Sequence, residues 1–267
     1  MPAASLVHRT CSFVLILALA AFSTLALAQQ EKPAAPSTYE PTSGQEGKDV
    51  VWVPTPQVVV DKMLDMAKVT QDDFVMDLGS GDGRTVITAA KRGARALGIE
   101  YNPDMVELSR RNAEKEGVAA KATFVKADLF ETDFSRASVI TMFLLPAINL
   151  KLRPQILNLK PGTRIVSNSF TMDDWNADET ATLGSETGCT SFCTAYFWLV
   201  PAKVAGIHKL PQGELNLKQH FQMLSGTLST EGRTFALDGQ MRGEEITFKA
   251  GGREYRGRMN GKSLELR

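Results

Sequence analysis

Hydrophobic and polar positions between residues 50 and 201 form short apolar runs separated by amphipathic segments. Short apolar runs predict strands, and the near-continuous run at 137–145 predicts a strand buried on both faces. The strands are expected at 74–78, 96–100, 122–127, 137–145 and 162–170, with two more within 187–201. Because helical segments separate these runs, we predict an α/β fold with a Rossmann-like, seven-stranded sheet covered by helices on both faces.

The segments between these strands predict helices. Residues 57–68 follow Pro54-Thr55-Pro56 and have a rough helical stripe of apolar positions, and 84–91 follow the first strand. Residues 102–117 begin with Asn at the N-cap and Pro at the first helical position. The fourth predicted helix, 149–159, is interrupted by a proline.

The pattern changes near Val204. Residues 205–267 combine many glycines with short alternating runs such as 245–248, which are typical of hairpins. We therefore predict a small C-terminal antiparallel β module at 204–267, after a larger domain at 50–203.

The N-terminal segment follows neither pattern. Residues 11–22 are apolar and lie between a basic start and Ala26-Leu27-Ala28, the order of a secretory signal peptide at 1–28 cut after Ala28. An uncleaved membrane anchor is the alternative, although a span needs ~20 apolar residues. Residues 29–49 are poor in large apolar side chains and are expected to form a flexible linker. The mature chain is thus expected to be periplasmic or secreted.

Composition and charge narrow the possible partners. Lys+Arg and Asp+Glu both number 30, so no global field would draw the chain to nucleic acid. Cys189 and Cys193 remain after the predicted cleavage and form either a disulfide or two buried thiols. No second Cys or His pair accompanies them, so we expect no metal site. The oligomeric state is left open.

A glycine-rich turn follows the first predicted strand. Asp77 precedes a G-x-G-x-G run that contains Gly79, Ser80, Gly81 and Gly83. Glycines at such a turn let a ligand approach the backbone closely. The spacing differs from the dinucleotide fingerprint G-x-G-x-x-G and disfavours a dinucleotide oxidoreductase.

Acids at the ends of the next two strands indicate which ligand the glycine-rich turn binds. Glu100 ends the second strand, where a carboxylate can accept both hydroxyls of a ribose. Asp128 ends the third strand, where it can meet an adenine amino group, with Leu129 lining the ring. S-adenosylmethionine (SAM) has a ribose, an adenine, a carboxylate and an ammonium but no phosphate, so the set predicts a SAM site. A SAM-binding protein without transfer activity is an alternative.

The sequence between residues 51 and 201 resembles a family of methyltransferases. The family modifies a lysine of the ATP synthase c subunit or of the mitochondrial adenine nucleotide translocase, and it has bacterial relatives. The resemblance is carried by Val53-Pro54-Thr55-Pro56, Asp77-Leu78-Gly79-Ser80-Gly81-Asp82-Gly83-Arg84, Gly98-Ile99-Glu100, Asp128-Leu129-Phe130, Leu144-Leu145-Pro146 and 159–167. It implies a class I SAM-dependent methyltransferase fold, adds Thr55 to the cofactor residues, and implies a protein lysine as acceptor.

The acceptor side is expected at the end of the fourth strand, where ligands bind in this architecture. Phe143, Leu144, Leu145 and Pro146 there would form an apolar wall that helps a lysine to arrive neutral, although Leu144 can equally be a core residue. The family tends to have Tyr at the position of Phe143. A small-molecule acceptor is the alternative to a protein, and a membrane-proximal substrate is a further expectation because some family members work beside a membrane.

Overall fold

A computed structural model of the protein describes residues 39–261 and 263–267. The predicted signal peptide and the first part of the predicted linker, 29–38, lie outside the described residues. No helix in the described part of the chain is long and apolar enough to cross a membrane.

The predicted seven-stranded sheet is confirmed. Its strands are β1 (Phe74–Leu78), β2 (Arg95–Glu100), β3 (Ala122–Lys126), β4 (Val139–Met142), β5 (Arg164–Asn168), β6 (Glu179–Thr182) and β7 (Thr194–Leu199). They lie in the order β3-β2-β1-β4-β5-β7-β6. The first five strands pair in parallel, and β7 runs antiparallel to both neighbours. The order reverses beside β1, so the carboxyl ends of β1 and β4 border the crevice where ligands bind in such sheets.

Four helices cover the sheet: α1 (Gln57–Met66), α2 (Arg84–Lys91), α3 (Pro103–Lys115) and α4 (Pro146–Ile156). The predicted cap of α3 is present, since the Asn102 side chain accepts a hydrogen bond of 2.9 Å from the Asp104 N–H. One apolar cluster packs α1, α2 and α3 against one face of the sheet. A second packs α4 against the other face, together with the fully buried Trp175 and Trp198.

The structure corrects two element boundaries. Helix α4 begins at Pro146 rather than at residue 149, because proline at the first helical position has no N–H to leave unpaired. The prediction that both last strands lie within 187–201 is wrong for β6, which precedes the cysteines. Strand β6 is a mostly exposed edge strand with polar side chains, so it has no apolar run to detect. The cysteines do lie in the connection between β6 and β7, and Cys189 and Cys193 form a disulfide.

The predicted β module is a second, antiparallel sheet. Its strands are β8 (Gly206–Leu210), β9 (Gly213–His220), β10 (Met223–Thr230), β11 (Arg233–Arg242), β12 (Glu245–Ala250), β13 (Arg253–Asn260) and β14 (Ser263–Leu266). Each strand pairs with its neighbours in the chain. Alternate residues of these strands form an apolar cluster of their own.

Several contacts join this second sheet to the first domain. The Phe221 ring stacks on Trp175 with centroids 5.9 Å apart. The Gln222 side chain donates a hydrogen bond of 2.8 Å to the Asn176 carbonyl. Arg242 pairs with Glu179 at 2.6 Å. The second sheet thus packs on the first domain through an aromatic stack, a hydrogen bond and an ion pair.

Residues 39–49 differ from the linker expected there. They have no helix or strand, as a linker would, but they pair with the chain that follows: the Gly44 N–H donates to the Trp52 carbonyl at 2.8 Å, and the Trp52 N–H donates to the Gln45 carbonyl at 2.9 Å. We name residues 45–53 the strap, because they run across the carboxyl edge of the sheet and line its cavity.

Candidate cofactor and acceptor site

A cavity lies at the carboxyl ends of β1, β2 and β4, between the sheet and the strap. The residues from the sheet side are Asp77, Gly79, Ser80, Gly81, Asp82, Ile99, Glu100, Ala127, Asp128, Leu129, Met142, Phe143 and Leu144. Most of the cofactor positions predicted from the sequence therefore line one cavity, because parallel strands end at the same edge.

The glycine-rich turn is shaped by its own hydrogen bonds. The amides of Gly79 and Ser80 both donate to the Ile99 carbonyl, at 2.9 and 3.0 Å. A Cβ at Gly81 would lie 2.5 Å from Nε1 of Trp52, so glycine allows the strap to pack directly on the turn. Gly83 does not line the cavity but precedes α2 with φ of 84°.

Asp77 lies at the base of the cavity and is almost fully buried. Its Oδ1 accepts a hydrogen bond of 2.5 Å from the Thr141 hydroxyl. Burial, together with the nearby Glu100 and Asp82 carboxylates, raises the pKa of the Asp77 carboxyl to about 7, against the lowering effect of that hydrogen bond. An ammonium group bound beside Asp77 would favour its charged form.

Glu100 is held in one orientation by two backbone amides. Its Oε2 accepts from the Gly81 N–H and its Oε1 from the Asn102 N–H, each at 2.9 Å. Each carboxylate oxygen has a second lone pair, which leaves acceptors for the two hydroxyls of a ribose. The carboxylate thus couples the glycine-rich turn to the start of α3.

Asp128 is held by a backbone amide and by the strap. Its Oδ1 accepts a hydrogen bond of 2.9 Å from the Phe130 N–H, and its Oδ2 pairs with the Lys48 ammonium. Hydrogen bonding to Lys48 holds the pKa of the Asp128 carboxyl below its usual value. The same ammonium lies 4.8 Å from the centroid of the Tyr101 ring, which also lines the cavity.

Sequence reasoning missed Lys48 and Tyr101. Residues 45–49 of the strap were assigned to the linker because their composition is polar, and Tyr101 stands in a turn with no pattern of its own. The available signal was the apolar run at 50–53, which contains Trp52 and directly follows that polar segment. Trp52 and Lys48 reach residues far along the chain, which no local pattern records.

Thr55 also lines the cavity. It is buried, its carbonyl accepts a hydrogen bond of 2.9 Å from the Arg84 guanidinium, and its hydroxyl lies 3.4 Å from the Asn168 amide nitrogen. Arg84 also pairs with Asp82 at 2.6 Å. Arg84 is a cation that lines the cavity beside the glycine-rich turn, although sequence reasoning did not assign it to the site.

The acceptor residues predicted after β4 separate into two groups. Phe143 and Leu144 line the cavity, and Leu144 is also buried in the core below it. Leu145 is 44% exposed and Pro146 is also exposed at the start of α4; neither lines the cavity. The apolar wall is therefore formed by Phe143 and Leu144, because the chain turns away from the sheet as α4 begins.

The donor and acceptor groups of this cavity fit SAM. Asp77, Glu100 and Asp128 are acceptors for an ammonium, a ribose and an amino group, while Ile99 and Leu129 offer apolar contact to a ring. The backbone amides of Gly79, Ser80 and Gly81 donate within the protein and are not free for the carboxylate of SAM. Arg84 and the Thr55 hydroxyl are the remaining groups of suitable chemistry.

Comparison with known proteins agrees with this geometry. A family model described as the ANTKMT methyltransferase domain matches residues 77–179. A protein-lysine N-methyltransferase of Saccharolobus islandicus is 50% identical over 133 residues, which cover 49% of this chain and 83% of that relative. The human lysine N-methyltransferase of the ATP synthase c subunit is 34% identical over 137 residues, which cover 51% of this chain and 58% of that relative.

A solved structure has a similar level of sequence identity to this chain. The crystal structure of an RNA methyltransferase from Salinibacter ruber, in complex with S-adenosyl-L-homocysteine (SAH), is 47% identical, with a TM-score of 0.53. The match covers 57% of this chain and 96% of that one. The cofactor is therefore SAM, whose demethylated product SAH is bound in that relative. Since the S. islandicus relative is covered over most of its length, this chain belongs to the family of SAM-dependent methyltransferases that includes the protein-lysine N-methyltransferase of that organism.

Proposed function

We propose that this methyltransferase transfers a methyl group from SAM to the side-chain nitrogen of a lysine in a protein. The observation that carries the proposal is the apolar end of the cofactor cavity, where Phe143 and Leu144 lie beside the glycine-rich turn. A lysine must lose its proton before it can attack, and an apolar surrounding lowers the pKa of an amine. The 50% identity to a protein-lysine N-methyltransferase supports the same acceptor.

The side chains of this protein align donor and acceptor and keep water away. SAM supplies a sulfonium methyl, which passes to the amine nitrogen while the sulfur leaves as a thioether. Glu100 and Asp128 orient the nucleoside, and Asp77 lies below the turn beside the position suited to an ammonium. The strap, which includes Trp52, covers the cavity. This cover excludes water and so favours direct in-line transfer without hydrolysis. The proton of the incoming lysine goes to solvent.

RNA is the competing acceptor, because the 47% identical structure from S. ruber is described as an RNA methyltransferase. A protein acceptor is favoured by the charge of the chain. Lys+Arg and Asp+Glu are equal at 30 each, whereas binding to a phosphate backbone depends on an excess of cationic side chains.

A labelling experiment separates these acceptors. The purified chain is incubated with methyl-labelled SAM and, separately, with membrane proteins, soluble proteins, RNA and small metabolites. With the wild-type chain we expect label in protein, recovered as methyl-lysine after acid hydrolysis. With Glu100→Ala we expect no label in protein, because this variant lacks the carboxylate that orients the ribose. Label in RNA or in small molecules alone would overturn the lysine proposal. Label in the membrane fraction would support a membrane-proximal acceptor.

We also infer that the protein is exported. The apolar run at 11–22, followed by Ala26-Leu27-Ala28, supports a cleaved signal peptide. The disulfide between Cys189 and Cys193 supports an oxidising compartment. Fractionation of the producing cells and N-terminal sequencing test the inference. A mature chain beginning at Gln29 in the periplasm or medium is expected, and an intact N-terminus in the cytoplasm would refute it.

A further inference from the structure

Three phenylalanine rings meet beside the apolar end of the cavity. We name Phe143, Phe170 and Phe192 the phenylalanine cluster. The ring centroid of Phe143 lies 5.8 Å from that of Phe170 and 5.1 Å from that of Phe192, and the centroids of Phe170 and Phe192 are 6.4 Å apart. Phe143 lines the cofactor cavity, whereas Phe192 is 40% exposed. The cluster therefore leads from the solvent to the place where methyl transfer would occur.

Phe170 is held by the turn that follows β5. The Ser167 hydroxyl donates a hydrogen bond of 2.7 Å to the Phe170 carbonyl, and the Asn149 amide donates one of 3.1 Å to the Thr171 carbonyl. Ser169 has a φ of 59° and its N–H donates to the Thr194 carbonyl at 2.7 Å. A non-glycine residue keeps such a backbone conformation only where its neighbours enforce it. The position of the ring is thus specified by several contacts.

Phe192 is held in position by a disulfide-closed loop. It lies within the short loop closed by the Cys189–Cys193 disulfide, whose Cα atoms are 5.9 Å apart. Its own φ is 54°, again in the left-handed region. The Cys193 carbonyl accepts a hydrogen bond of 2.9 Å from the Leu183 N–H and joins the loop to the chain that follows β6. A large apolar ring is thus kept partly in solvent by a covalent link.

The aromatic rings of the phenylalanine cluster can attract the amine of a lysine acceptor. Aromatic rings attract an ammonium group that lies within ~6 Å of their centroids, and they also pack well against an aliphatic stem. The ring of Phe192 is 40% exposed and can meet such a cation from the solvent, and Phe143 and Phe170 pack beside it. Phenylalanine carries no hydroxyl, so it attracts the cation without accepting a conventional hydrogen bond from it.

Resting on the proposed function, we propose that the phenylalanine cluster is the acceptor subsite, which binds the stem and ammonium of a lysine side chain. Phe192 is a specificity-determining residue of this subsite, and the Cys189–Cys193 disulfide is its positioning element. The cluster captures the charged amine at the solvent side. The amine loses its proton to water as it moves past Phe143 into the apolar end of the cavity.

Substitution of Phe192 tests the subsite in the methylation reaction. Phe192→Ala should raise the KM for the protein acceptor about tenfold, within the range of a cation–π contact, and leave the affinity for SAM unchanged. Phe192→Trp should restore the KM, whereas Phe192→Leu, which keeps an apolar side chain, should not. Met223→Ala, an exposed apolar position of the second sheet, is the control. An unchanged KM in Phe192→Ala, or full rescue by leucine, would overturn the proposal.

A binding measurement tests the subsite without methyl transfer. Butyltrimethylammonium is titrated into the SAH-bound protein and followed by ligand-observed NMR, with neutral pentanol for comparison. Binding of the cation that is lost in Phe192→Ala supports the subsite, even where no protein lysine is methylated. Absence of cation binding to the wild-type protein, or equal binding of pentanol, refutes it. Failure of the proposed function would instead leave this binding intact while label enters another acceptor.

The disulfide gives a third test. The disulfide can be removed by dithiothreitol or by the double substitution Cys189→Ser with Cys193→Ser. Either change should raise the KM for the protein acceptor, as Phe192→Ala does. The affinity for SAM should not change, because neither cysteine lines the cofactor cavity. Reduction should add nothing in the Phe192→Ala background. An additive effect there would refute the positioning role of the disulfide.

Discussion

Lys48 forms an ion pair with Asp128 across the mouth of the cofactor cavity. The two residues are 80 positions apart in the chain, and the pair joins the strap to the end of β3. Asp128 is also the acid predicted to meet the adenine amino group of SAM. We therefore expect the ammonium of Lys48 and the amino group of the cofactor to compete for the same carboxylate.

Lys48→Met should accordingly strengthen the binding of SAH by a small factor, because an exposed ion pair contributes little energy. The gain should shrink at high salt, which already screens the pair. Isothermal titration calorimetry at two salt concentrations measures both effects. Lys91→Met, which removes a surface pair with Glu116 at 2.6 Å, is the control. Weaker SAH binding in Lys48→Met would show that the lysine holds the cofactor rather than competing with it.

Asp77 should make stability depend on pH. Its pKa is raised from 3.8 to about 7, so the folded protein keeps a proton that the unfolded chain releases above pH 4. Stability from this group is present below the unfolded pKa and is lost as the pH rises through the folded pKa. Asp77→Asn cannot ionise, so its stability relative to the wild type should increase by about 2–3 kcal/mol between pH 5 and pH 8.

Urea denaturation of the ligand-free protein at both pH values measures this difference. Asp178→Asn is a useful comparison, because burial also raises the pKa of that carboxyl although it lies outside the cavity. A pH-independent difference between wild type and Asp77→Asn would contradict the raised pKa.

Gly81→Ala should weaken SAH binding, because its Cβ would lie 2.5 Å from Nε1 of Trp52 and force the strap off the turn. We expect the Kd for SAH to rise about tenfold, equivalent to ~1.4 kcal/mol of binding free energy. Gly117→Ala is the matched control, since Gly117 also has a positive φ, 70°, but nothing lies within 4 Å of its Cβ position. Both variants should lose about 1 kcal/mol of stability from backbone strain. Equal SAH affinity in the two would exclude the strap contact as the cause.

Phe221→Ala should lower the free energy of unfolding by about 2 kcal/mol, since it removes a partly buried ring that stacks on Trp175. The affinity for SAH should not change, because every residue that lines the cavity precedes Asn149. Met223→Ala, at a 53% exposed position, should change stability by less than about 0.5 kcal/mol. Thermal denaturation with calorimetry measures both quantities. A loss of SAH affinity in Phe221→Ala would reveal coupling between the second sheet and the cofactor site.

The sheet and the cofactor acids were predictable from local patterns. Strands β1, β2, β4 and β5 are largely buried, and β3 buries Ala122 and Phe124, so all five give apolar runs. Asp77, Glu100 and Asp128 each stand at or near the end of such a run. Strand β6 was not predictable, because an exposed edge strand has polar side chains and pairs through its backbone. Residues 45–49 of the strap were missed for a related reason, since their polar composition is that of a linker.

The sequence by itself determined the fold class and the SAM cofactor, and it placed the predicted acids at strand ends, because strand burial and strand-end chemistry depend on neighbouring residues. Only the tertiary structure decided which side chains complete the site. Lys48 reaches Asp128, and Phe143, Phe170 and Phe192 meet, through contacts between distant segments. Such contacts arise from the packing of separate elements against one another, and no spacing in the sequence encodes them.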